Sequence, residues 1–220
     1  MDFFKMWSSG IKSPFFTTTP VYLLSFMDKN GECGWLTEPC ETGYGLVCFL
    51  SRIDAMIEGG RRALGDGKMY RMAPGTAVPP EEFRARDEHG TVNYQRGFAA
   101  VFHMGWAACD RLILRHSHVN DGSYRRCTQS SYLAATGPAA FEVSAEIFSS
   151  YGDFRERAGL FAWQETDEQL QRWEVPRLHK VVQRAIRSVK LSDNAAPQAQ
   201  QLALFDPECQ QWHFVPLTAR

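Results

Sequence analysis

Three histidines are the residues best typed for chemistry. His103 lies within the apolar "VFHMGW" (101–106), and His116 and His118 form "HSH". Residues two apart on an extended segment project to the same side, so His116 and His118 have a spacing compatible with metal binding. Cys33 and Cys40 would be the sulfur ligands if the fold carried them to that pair. Zinc needs four convergent ligands, however, and no C-x-x-C or tight His/Cys cluster occurs. An edge strand carrying two polar side chains explains "HSH" as well. His103 could act as a general base, but neither a nucleophile nor an orienting acid stands near it in the chain. A hydrogen-bonded core imidazole is the plainer reading. No catalytic residue, metal or cofactor is expected from these patterns.

Ser51 raises the next question. In "GLVCFLSRIDAMIEGGRRAL" (45–64) an apolar run ends at Ser51 and a helical repeat begins. A hydrolase elbow has this strand–turn–helix topology, but it reads G-x-S-x-G, and both glycines are missing here. A phosphate-binding turn needs its glycines before the helix, so that bare amides surround the anion. Gly59 and Gly60 come two turns too late. The spacing predicts instead a capping box in which Ser51 and Asp54 serve free helix amides. Gly60 would then allow a close helix–sheet approach, against a helix cost of about 1 kcal/mol relative to Ala. Ile53, Met56, Ile57, Gly60 and Leu64 fall on one helical face. Glu58 and Arg62 lie elsewhere, as a favourable i,i+4 pair.

Charge is the remaining resource. Arg177, Lys180, Arg184 and Arg187 follow steps of three, four and three, which places them on the polar side of one helix. Such a stripe could hold phosphates or an acidic partner, or could simply face solvent. It lacks the interleaved aromatics of a single-strand nucleic-acid binder. Upstream, Glu165, Asp167, Glu168 and Glu174 supply the opposite sign. Trp35 and Trp173 sit among polar residues, where an indole is either half-buried or an anchor for a protein partner. These nine residues other than Glu174 (Trp35, Glu165, Asp167, Glu168, Trp173, Arg177, Lys180, Arg184 and Arg187) are the candidate partner-binding set.

The elements that must position them follow from periodicity. "VYLLSFMDKNGECGWLTE" (21–38) predicts a hairpin turning at "DKNGE", and "GLVCFL" (45–50) a third strand. Residues 65–97, with three prolines and several glycines, predict an irregular excursion with one short helix after Pro80. Residues 98–119 allow a buried strand or helix and then a strand. From about 139 the chain reads as helical, with an acidic helix or turn from Glu165 to Trp173. "PRLHKVVQRAIRSVK" (176–190) is the clearest helix, with Pro176 at its first turn. "QLALFDPECQQWHFVPL" predicts a closing hairpin. The fold class expected is α+β, a mixed and mostly antiparallel sheet with helices packed against it. It forms a single domain over 1–220, with 65–97 as the place where it would divide.

With 220 residues, the chain can bury a sizeable core. Its 24 Lys and Arg against 25 Asp and Glu leave a net charge of −1, so no global field favours nucleic acid or an anionic membrane. No signal-peptide core or spanning run is evident, so the expected location is cytoplasmic, where the six cysteines stay as thiols.

"VYLLSFMDKNGECGWL" followed by "VCFLSRIDAMIEG" resembles the strand–strand–strand–helix start of small bacterial α+β immunity proteins from toxin–immunity loci (polymorphic or type VI secretion toxins). "LALFDPECQQWHFVPL" resembles their final hairpin. The resemblance covers about a third of the chain and transfers no functional residue. It implies a non-enzymatic protein that binds and neutralises a cognate toxin by occluding its active site. The alternatives are an enzyme with a cryptic site around His103, His116 and His118, and a regulator using the Arg184 face on nucleic acid.

Overall fold

The computed structural model describes residues 21–40, 43–92, 98–113, 128–137, 140–142, 145–192 and 198–217. The first hairpin joins β1 (Tyr22–Met27) to β2 (Cys33–Trp35), with Met27 opposite Cys33. Its turn is held by Asp28, whose Oδ1 accepts the Asn30 and Glu32 amides at 2.8 and 2.9 Å. This is the side-chain mimicry that makes Asp a turn residue. A second antiparallel pair, β3 (Thr37–Cys40) with β4 (Gly43–Phe49), leads into helix α1 (Arg52–Asp66). The chain then returns along the whole of β1 as β5 (Met69–Pro74).

Past two short 3-10 turns, β6 (Phe98–His103) lies parallel to β4. It continues into the small hairpin β7 (Trp106–Ala108) and β8 (Arg111–Leu112). Antiparallel β9 (Thr128–Gly137) and β10 (Ala140–Glu142) complete the main sheet, ordered β10-β9-β6-β4-β1-β2, with β3 also on β4 and β5 also on β1. Helices α2 (Ala145–Arg157), α3 (Trp163–Gln171) and α4 (Val175–Ser188) follow. The closing hairpin, β11 (Gln201–Asp206) and β12 (Gln211–Pro216), forms a second sheet in the order β12-β11-β7-β8. The fold is α+β, mostly antiparallel with one mixed sheet.

Strand alternation divides the core. Val21, just before β1, and Leu23 of β1 join Leu46, Cys48, Ala100 and Phe102 in a cluster that also takes Leu202 and Leu204 from the second sheet. Tyr22 and Leu24 point the other way, to Val47, Phe49 and Ala55 of α1. A third cluster packs Ile53 and Ile57 of α1 against Leu178, Val181, Val182 and Ala185 of α4, with Phe205 below. The two glycines of α1 permit this packing. A Cβ on Gly59 would lie 3.2 Å from both Leu24 Cδ2 and Tyr70 Cβ, and one on Gly60 only 2.8 Å from Ile186 Cδ1. Gly59 therefore faces the sheet and Gly60 faces α4, so the close helix–sheet approach expected at Gly60 is made at Gly59 instead.

Several expectations are corrected. The segment 65–97 is not irregular at its start, because β5 pairs through six residues with β1. "MYRMAP" has little strand propensity of its own, and tertiary pairing overrides it. The short helix after Pro80 is the 3-10 turn Pro80–Phe83. The region after 139 opens as strand β10 before turning helical. The two hairpins at the ends of the chain occupy different sheets. Leu64, read on the same helical face as Ile53 and Ile57, is 72% exposed. His116 and His118 lie outside the described residues. Among the described residues no helix is long and apolar enough to cross a membrane.

Candidate functional site

Helices α3 and α4 form an exposed ridge. On α4 the residues Leu178, Val181, Val182 and Ala185 are buried, while Arg177, Lys180, Arg184 and Arg187 are exposed. At 3.6 residues per turn the four cations fall within an arc of about 80°. Among the described residues, none of the four has a carboxylate within ion-pair distance. Glu165 and Glu168 on α3 and Glu174 at the start of α4 are likewise exposed. Opposite signs are thus exposed on two consecutive helices, with no ion pair between them among the described residues. Between them Arg177 stacks on the half-buried indole of Trp173, its Cζ 3.7 Å from the ring centroid. A cation held over Trp is a preorganised contact.

The ridge is tied to the body at three places. Trp212 Nε1 of β12 donates to the Ala185 carbonyl of α4 at 3.1 Å. Gly60 of α1 admits Ile186 and Val182 of α4. The third tie is polar and unexpected. Ser51 is the N-cap of α1 in extended conformation (φ −117°, ψ 133°), yet its side chain makes no capping bond. Among the described residues its buried Oγ has no hydrogen-bond partner. The Arg52 amide instead donates to both carboxylate oxygens of Asp167, at 3.1 and 3.3 Å, from 115 residues away on α3. Asp54, the other half of the expected capping box, accepts the Tyr151 hydroxyl at 2.6 Å.

Asp167 is thus corrected from a surface contact to an internal cap. It is 2% exposed. Burial raises its carboxyl to about 6, against the bonds from the Arg52 amide and the Tyr22 hydroxyl and with the help of Asp54. Burial, then Asp167, pushes the Tyr22 phenol up to about 12. Nearby, Arg155 donates to the Phe161 carbonyl at 2.8 Å and to Thr166 Oγ1 at 3.0 Å, which fixes α2 to α3. Trp35 is also not part of the ridge. It packs against the cluster of Val21 and Leu23, whereas α4 builds on the cluster of Ile53 and Ile57.

A second polar group lies between α1 and the main sheet. Glu58, 4% exposed, takes Arg61 Nη2 and Arg62 Nε on its Oε1, both at 2.6 Å. Arg62 reaches on to Glu38 of β3 at 2.5 Å. His103, at the end of β6, has its Nε2 3.9 Å from Glu58 Oε2, too far for a hydrogen bond. Burial acts to raise the Glu58 carboxyl, but His103, Arg61 and Arg62 outweigh it and hold it at about 2. Burial drives the His103 imidazole below its ordinary value, against the pull of Glu58. Burial lifts Glu38 to about 7, against the pull of Arg62 and with the help of the Glu58 charge.

The last shift has a measurable consequence. An unfolded Glu38 titrates near 4.5 and the folded one near 7. Between these values the folded state keeps a proton that the unfolded chain has released. The contribution of Glu38 to stability is therefore full below about 4.5 and is lost as pH rises through about 7. Glu38→Gln removes that titration while Arg62 retains Glu58. In urea melts from pH 5 to 8, the variant is expected to lose stability less steeply than the parent. Asp167 titrates in the same direction, so the slope is reduced and not abolished. Equal slopes would show that Glu38 is solvated.

The structure sets Arg177 over Trp173 and the four cations on one face of α4, leaves Glu165 and Glu168 exposed on α3, buries Asp167 and packs Trp35 into another cluster. Sequence reasoning missed the Glu38–Glu58–Arg61–Arg62–His103 group. The i,i+4 pair Glu58–Arg62 is present, but as a buried anchor and not as a solvated pair. The only signal in the chain was three charges placed beside two glycines. Compared with family models, curated proteins and solved structures, the chain finds no match.

Proposed function

We propose that this protein is a non-enzymatic, immunity-type binding protein of the bacterial cytoplasm that neutralises a cognate toxin by covering its active site with the α3–α4 ridge. One observation carries the reading. Lys29, Arg71 and Arg172, like the α4 cations, have no carboxylate within 4 Å among the described residues, but only the α4 set forms a row of four on one exposed helix face. Arg61, Arg62, Arg84 and Arg86 are each paired within the chain. Charges left unpaired on a rigid, anchored helix are free for a partner, and complementary charge speeds and orients association. The Trp173–Arg177 stack supplies the residue types that dominate binding energy in protein interfaces.

The test is co-expression with the product of the neighbouring gene, followed by calorimetry and an assay of that product's toxicity. The expected result is a stoichiometric complex at micromolar concentration or tighter, with toxicity suppressed. Arg184→Glu with Arg187→Glu should weaken the complex at least tenfold with only a small fall in melting temperature, since both side chains are exposed and only the change at Arg187, in the last turn of α4, meets the helix dipole unfavourably. Absence of a complex, or full binding by the double variant, would overturn the proposal.

A further inference from the structure

We infer that the partner face received by α4 is an acidic helix whose carboxylates recur at one-turn spacing. The inference rests on the ridge being the binding surface, and it adds the chemistry of what binds there. Arg177, Lys180, Arg184 and Arg187 are all exposed and lie along one line of α4. With a rise of 1.5 Å per residue, the line is about 15 Å long, with gaps of about 4.5, 6 and 4.5 Å. A helix laid along it presents side chains in the same three-and-four rhythm, so glutamates at 1, 4, 8 and 11 meet the four cations one for one. This is the arrangement by which flanking charges choose partners in paired helices.

The surroundings argue against a nucleic acid. Glu174 is exposed one turn before Arg177, and Glu165 and Glu168 are exposed on the preceding helix, so a continuous polyanion running past Arg177 would meet carboxylate at that end of the stripe. A protein helix carries charge on one face only and can turn neutral or basic residues toward those glutamates. The indole of Trp173 is already covered by the Arg177 guanidinium, 3.7 Å away, so it is not open as a stacking platform for a base. Arg177 is in turn held in place by that indole, so one end of the stripe is set before a partner arrives.

The experiment uses the full chain and four labelled probes in fluorescence anisotropy at low and moderate salt. Two are helical alanine- and glutamine-rich peptides of equal composition, one with glutamates at 1, 4, 8 and 11 and one with the same four glutamates distributed around the helix. The others are a single-stranded DNA and a duplex RNA of similar length. The register-matched peptide is expected to bind at least tenfold more tightly than its scrambled counterpart and more tightly than either nucleic acid. Its affinity should fall as salt rises, and Arg184→Glu with Arg187→Glu should remove the preference. Equal binding of the two peptides, tighter binding of a nucleic acid, or no binding of any probe would overturn the inference. A failed toxin complex alongside an intact peptide preference rejects the immunity reading alone. An intact complex without that preference rejects the acidic-helix inference alone.

Discussion

Glu58→Ala is expected to destabilise the protein by about 3–4 kcal/mol, as an equilibrium loss in urea with little change in m. The carboxylate is almost fully buried and holds two guanidiniums at 2.6 Å. Removing one member of a buried pair leaves the other charge uncompensated, which costs about 3–5 kcal/mol in general. The lower part of that range applies because Arg61 and Arg62 are 19% and 22% exposed, and because Arg62 keeps Glu38. Glu58→Gln retains the shape and an acceptor, and should lose about 1–2 kcal/mol, near the worth of the charge-assisted bonds. A loss below 1 kcal/mol for the alanine variant would mean that water already serves the arginines. His103 makes no hydrogen bond to Glu58, its Nε2 lying 3.9 Å from Oε2, so the expected loss rests on the two guanidiniums.

Asp167→Ala should cost about 2–3 kcal/mol, while Ser51→Ala should change stability by less than about 0.5 kcal/mol. The contrast reverses the ordinary ranking, in which the serine at the N-cap matters most. Asp167 takes the first free amide of α1 and the Tyr22 hydroxyl, and its loss strands both in a buried place. Among the described residues Ser51 Oγ has no partner to lose. Asp167→Asn separates shape from charge. It keeps an acceptor for the Arg52 amide and removes an ion that burial disfavours, so it should lie within about 1 kcal/mol of the parent at pH 7. Chemical denaturation of the three variants side by side checks the set. A Ser51→Ala loss equal to that of Asp167→Ala would restore the local cap.

The elements with strong patterns were legible in the chain. The strands read at 21–27 and 45–50, the helix read at 176–190 and the closing hairpin are present as Tyr22–Met27, Gly43–Phe49, Val175–Ser188 and β11–β12, because a period of 2 or 3.6 in apolar residues is set by the backbone itself. The α4 stripe was legible for the same reason, since residues that alternate with a buried face must point outward. Strand β5 was not, because its six residues form a strand only by pairing with β1.

The chain by itself determined the α+β class, the amphipathic helices and the exposed cations, all of which follow from local geometry and solvation. Only the tertiary structure decided which charges are tools for binding and which are fastenings. Glu58, Arg62 and Asp167 look in sequence like Glu165 and Arg184, and a carboxylate carries no mark of its future burial. Burial depends on what packs over it, here Glu38 from β3 and the α1 helix end beneath α3. Those contacts span 24 and 115 residues, separations at which local periodicity holds no information.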